Sequence, residues 1–321
     1  MRATLQRVAG VALACVILFF IARGLWSGLH AMGHYSFTVS PLRIAGAFGT
    51  FAVLFPIYAW LWQYIIAKFG YRLTYGKAIR IWLVSQAGRY IPGKVWFALG
   101  RIYLAEREGI PKRVTTIATG LELVLVLGSA LVVFGLAWLV RPSMGGHTYL
   151  WSILLVPLMI VGVHPRVLRF MLGRLGKLGK LVKPPSADAQ ETGEDRAFTM
   201  RYVDILKIFG IYVICWCIYG TGYYLIATSI GLKPDMGPAP APPGWSLLPE
   251  MIGINALSWA GGFVSIITPA GLGIREGIST FLLQGLIGKP YPLLIPLVAR
   301  IWVTIAEVVA IGLAVMARGR K

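Results

Sequence analysis

Ser85-Gln86-Ala87-Gly88-Arg89-Tyr90-Ile91-Pro92-Gly93-Lys94 is an apolar segment interrupted by Pro and Gly, and a second one follows far downstream. The second runs from Ser258-Trp259-Ala260-Gly261 on to Ile267-Thr268-Pro269-Ala270-Gly271-Leu272-Gly273-Ile274-Arg275-Glu276. Pro92 and Pro269 lack an amide hydrogen and stop a helix. Gly88, Gly93, Gly271 and Gly273 allow tight turns and close backbone approach. One such break falls in each half of the chain. Broken apolar helices at corresponding places in two halves point to a binding site near the bilayer midplane, at the interface of an inverted-topology repeat.

The rest of the composition places these breaks in a membrane. The 321 residues are 57% hydrophobic and 13% charged, where a soluble chain carries about 25% charged residues. The length leaves room for about six to eight spans of about 20 residues. Apolar runs predict full transmembrane helices at about 8–28, 43–67, 114–140, 148–164, 205–230 and 291–317. The run from Val8 is read as an uncleaved anchor, because no Ala-x-Ala cleavage pattern follows it. The two broken stretches, about 79–104 and 250–288, are read as re-entrant hairpins.

Charge supports that reading. The net charge of +19 does not signal nucleic acid, because the basic residues sit in short loops between apolar runs and follow the positive-inside rule. They also attract anionic inner-leaflet lipids. With two hairpins, both termini are cytoplasmic, and the outer segments keep only Arg23, Arg43, Arg141, Lys233 and Lys289. Turning either hairpin into a full crossing inverts everything after it and destroys the asymmetry. The expected fold is therefore an all-α polytopic membrane protein, about six full transmembrane helices plus two broken-helix hairpins. Its first membrane half is 1–164, its cytoplasmic linker 165–204 and its second half 205–321, the halves inverted relative to each other. The linker is basic up to Lys183 and acidic after Pro184-Pro185-Ser186; the Pro-rich outer loop from Lys233 to Pro249 is expected to be extended.

Eight charged residues fall within membrane elements: Arg89, Lys94, Arg101, Arg275 and Arg300, with Glu122, Glu276 and Glu307. A charge at the bilayer centre costs at least about 2.5–3.5 kcal/mol, so these residues need a partner or a polar cavity. Thr119 and Glu122 share a face of the helix after the first hairpin, as Thr304 and Glu307 do after the second, with Thr115 and Arg300 one turn earlier. Glu122 and Glu307 then correspond, and each is expected to meet Arg89, Lys94, Arg101 or Arg275 across the bundle. Helix N-termini at the breaks offer amides to an anion, and Arg side chains grip phosphate oxygens bidentately. The pattern suggests a site for an anionic phosphate group; snorkelling or purely structural ion pairs are the competing reading. His30, His34, His147 and His164 have no ligand spacing, so no metal is expected. Cys15, Cys215 and Cys217 read as packing residues. No nucleotide-binding loop is present, and no cofactor is expected.

Gly88-Arg89-Tyr90-Ile91-Pro92-Gly93-Lys94, Gly100-Arg101, Thr119-x-x-Glu122 and Pro269-Ala270-Gly271-Leu272-Gly273-Ile274-Arg275-Glu276 together resemble the lysylphosphatidylglycerol synthase transmembrane-region family over nearly the whole chain. The resemblance implies movement of lipids, such as aminoacylated phosphatidylglycerol or a polyprenyl-linked sugar, between leaflets of a bacterial or archaeal cytoplasmic membrane. It also implies that Arg89, Pro92, Gly93, Arg101, Glu122, Pro269, Gly271, Gly273, Arg275 and Glu276 match the family pattern. The chain is expected to be a stand-alone member, without the soluble synthase domain to which some relatives are fused, so synthesis of aminoacyl lipid is not expected. The expected function is a flippase-like translocase for a phospholipid, an aminoacyl-phospholipid or a polyprenyl-phosphate glycolipid, with Arg89, Lys94, Arg101, Glu122, Arg275, Glu276, Arg300 and Glu307 around the headgroup. Two alternatives stay open. One is a membrane-embedded transferase using Glu276 as base. The other is a non-catalytic membrane partner of a lipid- or glycan-modifying enzyme, docking through the basic loop 165–183. A second copy of the chain is also an open partner.

Overall fold

A computed structural model describes residues 35–91, 95–140, 200–234, 244–265 and 268–317. The spans expected at 8–28 and 148–164, most of the linker, and Pro92, Gly93 and Lys94 lie outside the described residues. Four helices among the described residues are long and apolar enough to cross a membrane: α1 (Pro41–Lys68), α4 (Lys112–Val140), α5 (Tyr202–Ser229) and α8 (Tyr291–Met316). At about 1.5 Å per residue, 26 to 29 residues exceed the hydrocarbon thickness. The chain is thus a multi-pass α-helical membrane protein, with these four helices at the places expected for them.

Each broken stretch is a pair of shorter helices. In the first half these are α2 (Tyr75–Gln86) and α3 (Trp96–Glu106), with a 3-10 turn at Ala87–Tyr90 after α2. In the second half they are α6 (Leu248–Val264) and α7 (Ile274–Gln284), with a 3-10 turn at Pro269–Gly271 between them. Twelve residues of α2 span only about 18 Å, too short to cross alone. Within each pair the two helices pack on each other. Glycines make that possible. A Cβ on Gly88 would collide with the backbone of Trp96 and Phe97, and one on Gly271 would lie 2.7 Å from the Gly262 carbonyl oxygen. The second break also needs left-handed backbone: Ala270 has φ 48°, Gly271 73° and Gly273 84°.

The helices pair in matching sets across the two halves. Helix α1 packs on α5. Then α2 lies against α1 and α8, as α6 lies against α5 and α4. Helix α3 packs on α4, as α7 packs on α8. The arrangement brings the two 3-10 turns, Ala87–Tyr90 and Pro269–Gly271, into contact with each other.

Two features depart from the sequence reading. A short antiparallel ribbon joins β1 (Tyr35–Val39) to β2 (Ile230–Pro234), where only helices were expected. It forms because the chain enters α1 beside the end of α5: Ser40 N donates to Ser229 O at 2.8 Å, and Arg43 donates to the Thr228 carbonyl. Pro249, expected in the extended outer loop, instead sits in the first turn of α6, where its missing N–H costs nothing.

Gly271→Val will force α6 and α7 apart and strain a positive φ, and is expected to destabilise the protein by more than about 2 kcal/mol. Gly277→Ala, at a helical position with open space around it, should be neutral or slightly stabilising. Thermal unfolding of the two variants in detergent checks the contrast.

Candidate functional site

Where the two breaks meet, they enclose a cleft with about 510 Å³ of atom-free space, part of it open to the outside. Three arginines reach it from three elements: Arg89 from the first 3-10 turn, Arg275 from the first turn of α7, and Arg300 from α8. Glu307, two helical turns beyond Arg300, is the carboxylate on its lining. The local balance is cationic in a low-dielectric surrounding, where electrostatic interactions are strong.

Each charge has its own arrangement. Glu307 accepts from Arg89 Nη1 at 3.4 Å and from the Tyr90 hydroxyl at 2.5 Å. Arg89 also lies over the Trp259 ring, 5.5 Å from its centroid. Arg300 is buried; its Nη1 donates to the Ala270 carbonyl at 3.0 Å and stands 3.8 Å from Glu276. Arg300 Nε and Nη2 and Arg89 Nε are buried without a hydrogen-bond partner among the described residues. Arg275 donates to Tyr219 Oη at 2.7 Å and to Asn255 Oδ1 at 3.2 Å, both neutral acceptors. It forms no ion pair with a described carboxylate.

Arg101 and Glu122 stand apart from the cleft as an ion pair inside the first half, 1% and 5% exposed. Trp82 Nε1 donates to Glu122 at 2.9 Å and Arg101 Nε donates to Ser85 at 3.2 Å. Arg101 is therefore sealed in protein rather than snorkelling to the surface. Both border a second chamber beside the cleft. Glu276 acts within its own helix, which it caps by accepting from the backbone N–H of Gly273 at 2.7 Å. The start of α7 thus uses a donor on its own carboxylate, and its capacity as an anion site lies in Arg275 more than in free amides.

Of the residues picked from sequence, Arg89, Arg275, Arg300 and Glu307 gather at the cleft, with Gly88, Pro269, Gly271 and Gly273 shaping its two turns. Glu276 sits behind Arg300, and Arg101 and Glu122 lie to the side. Lys94 is outside the described residues. Sequence reasoning missed Tyr90, Asn255, Trp259, Tyr219 and the Ala270 carbonyl. Tyr90, Trp259 and Ala270, all inside the two broken motifs, carried a local signal. The others come from helices that reach the site through packing.

A family model described as the lysylphosphatidylglycerol synthase TM region matches residues 7–312. The chain belongs to that family of membrane domains, which has lipid-related functions. A search of curated proteins finds no match.

Removing one partner of a buried ion pair strands the other charge, at about 3–5 kcal/mol. Arg101→Met is expected to lose stability on that scale. The double variant Arg101→Met/Glu122→Gln should recover much of it, and Arg89→Met, at the open cleft, should lose less. Thermal unfolding in detergent, run as a double-mutant cycle, reads these differences.

Proposed function

We propose that this member of the lysylphosphatidylglycerol synthase TM-region family is a lipid translocase, holding the phosphate of an anionic headgroup between its two helix breaks. The observation that carries the reading is Arg275: a half-buried guanidinium whose hydrogen-bond partners are neutral, beside two further arginines with unused donors. A cation in an apolar bundle without a direct ion pair gains from a counter-charge, and a phosphodiester supplies one along with oxygens for Arg275, Arg300 and Arg89.

In this mechanism the two broken stretches are re-entrant hairpins that enter from opposite faces. The halves form an inverted repeat, with both termini on the cytoplasmic side of a bacterial or archaeal inner membrane. The matching helix pairings support the repeat, and the positive-inside asymmetry supports the orientation. The lipid tails stay in the bilayer while the headgroup occupies the cleft. Phosphate takes the unused Nε donor of Arg89 while Nη1 keeps Glu307, so the contact that joins the first half to the second also carries the headgroup as the halves rock. A transferase reading would need Glu276 as a free base. One of its oxygens caps Gly273 and the other, without a hydrogen-bond partner among the described residues, faces Arg300 at 3.8 Å, an attraction that taking up a proton would forfeit, which favours transport without covalent change.

In liposomes carrying tail-labelled phosphatidylglycerol, with leaflet exposure followed by dithionite quenching, Arg275→Ala is expected to slow translocation about tenfold or more while eluting as folded protein. Arg275→Lys should fall between, because an ammonium lacks the planar fork. Wild-type rates in Arg275→Ala would remove Arg275 from the cargo path.

A further inference from the structure

Beside the phosphate cleft lies a second chamber with about 630 Å³ of atom-free space, part of it open to the outside, sharing Arg89, Phe97, Trp259 and Glu307 with the cleft as common walls. A group attached to a phosphate in the cleft has this chamber as its neighbour. We infer that the chamber is a headgroup subsite for a neutral, hydroxyl-bearing moiety, a polyol or sugar esterified to the bound phosphate, with Gln86 as its hydrogen-bonding residue. The inference rests on the phosphate reading above and adds the class of group that the phosphate carries.

Three observations lead there. The first is the wall. Phe55, Tyr58, Trp82, Trp216, Tyr219 and Trp259 line the chamber. They form a run of touching rings: Tyr58 on Trp82 at 5.5 Å, Trp216 on Tyr219 at 5.8 Å and Trp216 against Trp259 at 5.3 Å between centroids. Aromatic faces carry negative quadrupole charge. Arg89, Arg101 and Arg275 already lie over Trp259, Trp82 and Tyr219; the ring faces left over suit the weakly positive C–H faces of a polyol or sugar ring, and they suit a cation as well.

The second observation separates those two. Both carboxylates on the lining are already taken, Glu122 by Arg101 and Glu307 by Arg89. An ammonium entering the chamber meets two guanidinium groups and no spare carboxylate among the described residues, so it must break an ion pair that is already made to be neutralised. A neutral group avoids that cost.

The third is Gln86, the last residue of α2, immediately before the break. It is 3% exposed and lines the chamber, and neither its Nε2 nor its Oε1 has a hydrogen-bond partner among the described residues. Buried amides are nearly always satisfied. One donor and one acceptor side by side match a hydroxyl, which needs both. A small number of placed polar groups on an aromatic lining is how ligand pockets fix orientation.

The test uses the whole chain in phosphatidylcholine nanodiscs, free of sugar detergents, with intrinsic tryptophan fluorescence as the readout. Dioctanoyl phosphatidylinositol, phosphatidic acid and phosphatidylethanolamine are titrated separately. The inositol lipid is expected to half-saturate at a concentration about fivefold or more below the other two. Gln86→Met, which keeps the side-chain volume and removes the hydrogen bonds, should bring the inositol lipid close to phosphatidic acid without changing phosphatidic acid binding. Its thermal unfolding should come no lower than wild type, because the amide has no internal partner to lose; a structural Gln86 would lower it. Equal binding of the inositol lipid and phosphatidic acid in the wild type, or an undiminished preference in Gln86→Met, overturns the subsite. In that case loss of phosphatidic acid binding in Arg275→Ala keeps the phosphate reading intact. Tightest binding of phosphatidylethanolamine makes the chamber an ammonium cage and overturns the subsite too. Indifference of all three lipids to Arg275→Ala removes the phosphate reading and the subsite together.

Discussion

Guanidinium groups held inside an apolar bundle need counter-charge, and the rest of the site is arranged around that need. Each half meets part of it internally: Arg101 faces Glu122 in the first, and Arg300 stands 3.8 Å from Glu276 in the second. Arg89 reaches out of the first half to Glu307 in the second. Arg275 remains with neutral partners. The low dielectric of the surroundings makes every one of these choices hard to reverse, so the pairings also act as geometric constraints on where the two breaks must sit.

Backbone geometry makes the constraint attainable. A helix crossing straight through would carry its arginines along a cylinder, spaced by its pitch. Breaking the helix at Ala87–Tyr90 and Pro269–Gly271 lets two turns from distant parts of the chain touch and lets their cations share one cleft. The glycines at the crossing points are part of that arrangement. Gly271 lies against Gly262 and Gly88 against the start of α3, contacts with no room for a side chain. Aromatic rings from α1, α2, α5 and α6 then line the chamber that borders the paired charges.

The fold was largely legible because it follows from composition and interruption. Long apolar runs have one solution in lipid, the helix, so α1, α4, α5 and α8 appear where hydropathy puts them. Pro and Gly marked both breaks. The facing of Glu122 and Glu307 toward arginines was also foreseeable, since a membrane carboxylate needs a partner. The ribbon between β1 and β2 was not, because its pairing joins segments remote from each other in the chain and neither strand has a strong pattern alone. The same holds for Asn255 and Tyr219, ordinary residues of apolar helices until α5 and α6 are packed beside α7. Gln86 reads in sequence as one more polar residue near a helix end.

By itself, the amino-acid sequence determined that this protein lives in a membrane, where its helices break, and which charged residues the bilayer forces to seek partners. These are consequences of local chemistry: apolar length, missing amide hydrogens and the cost of an unsolvated charge. Only the tertiary structure decided which arginine meets which carboxylate, that Glu276 turns back to cap its own helix, and that Arg275 and Gln86 are left with capacity to spare. Those outcomes depend on distances between helices that are remote in sequence, and interhelical packing, not local propensity, sets such distances.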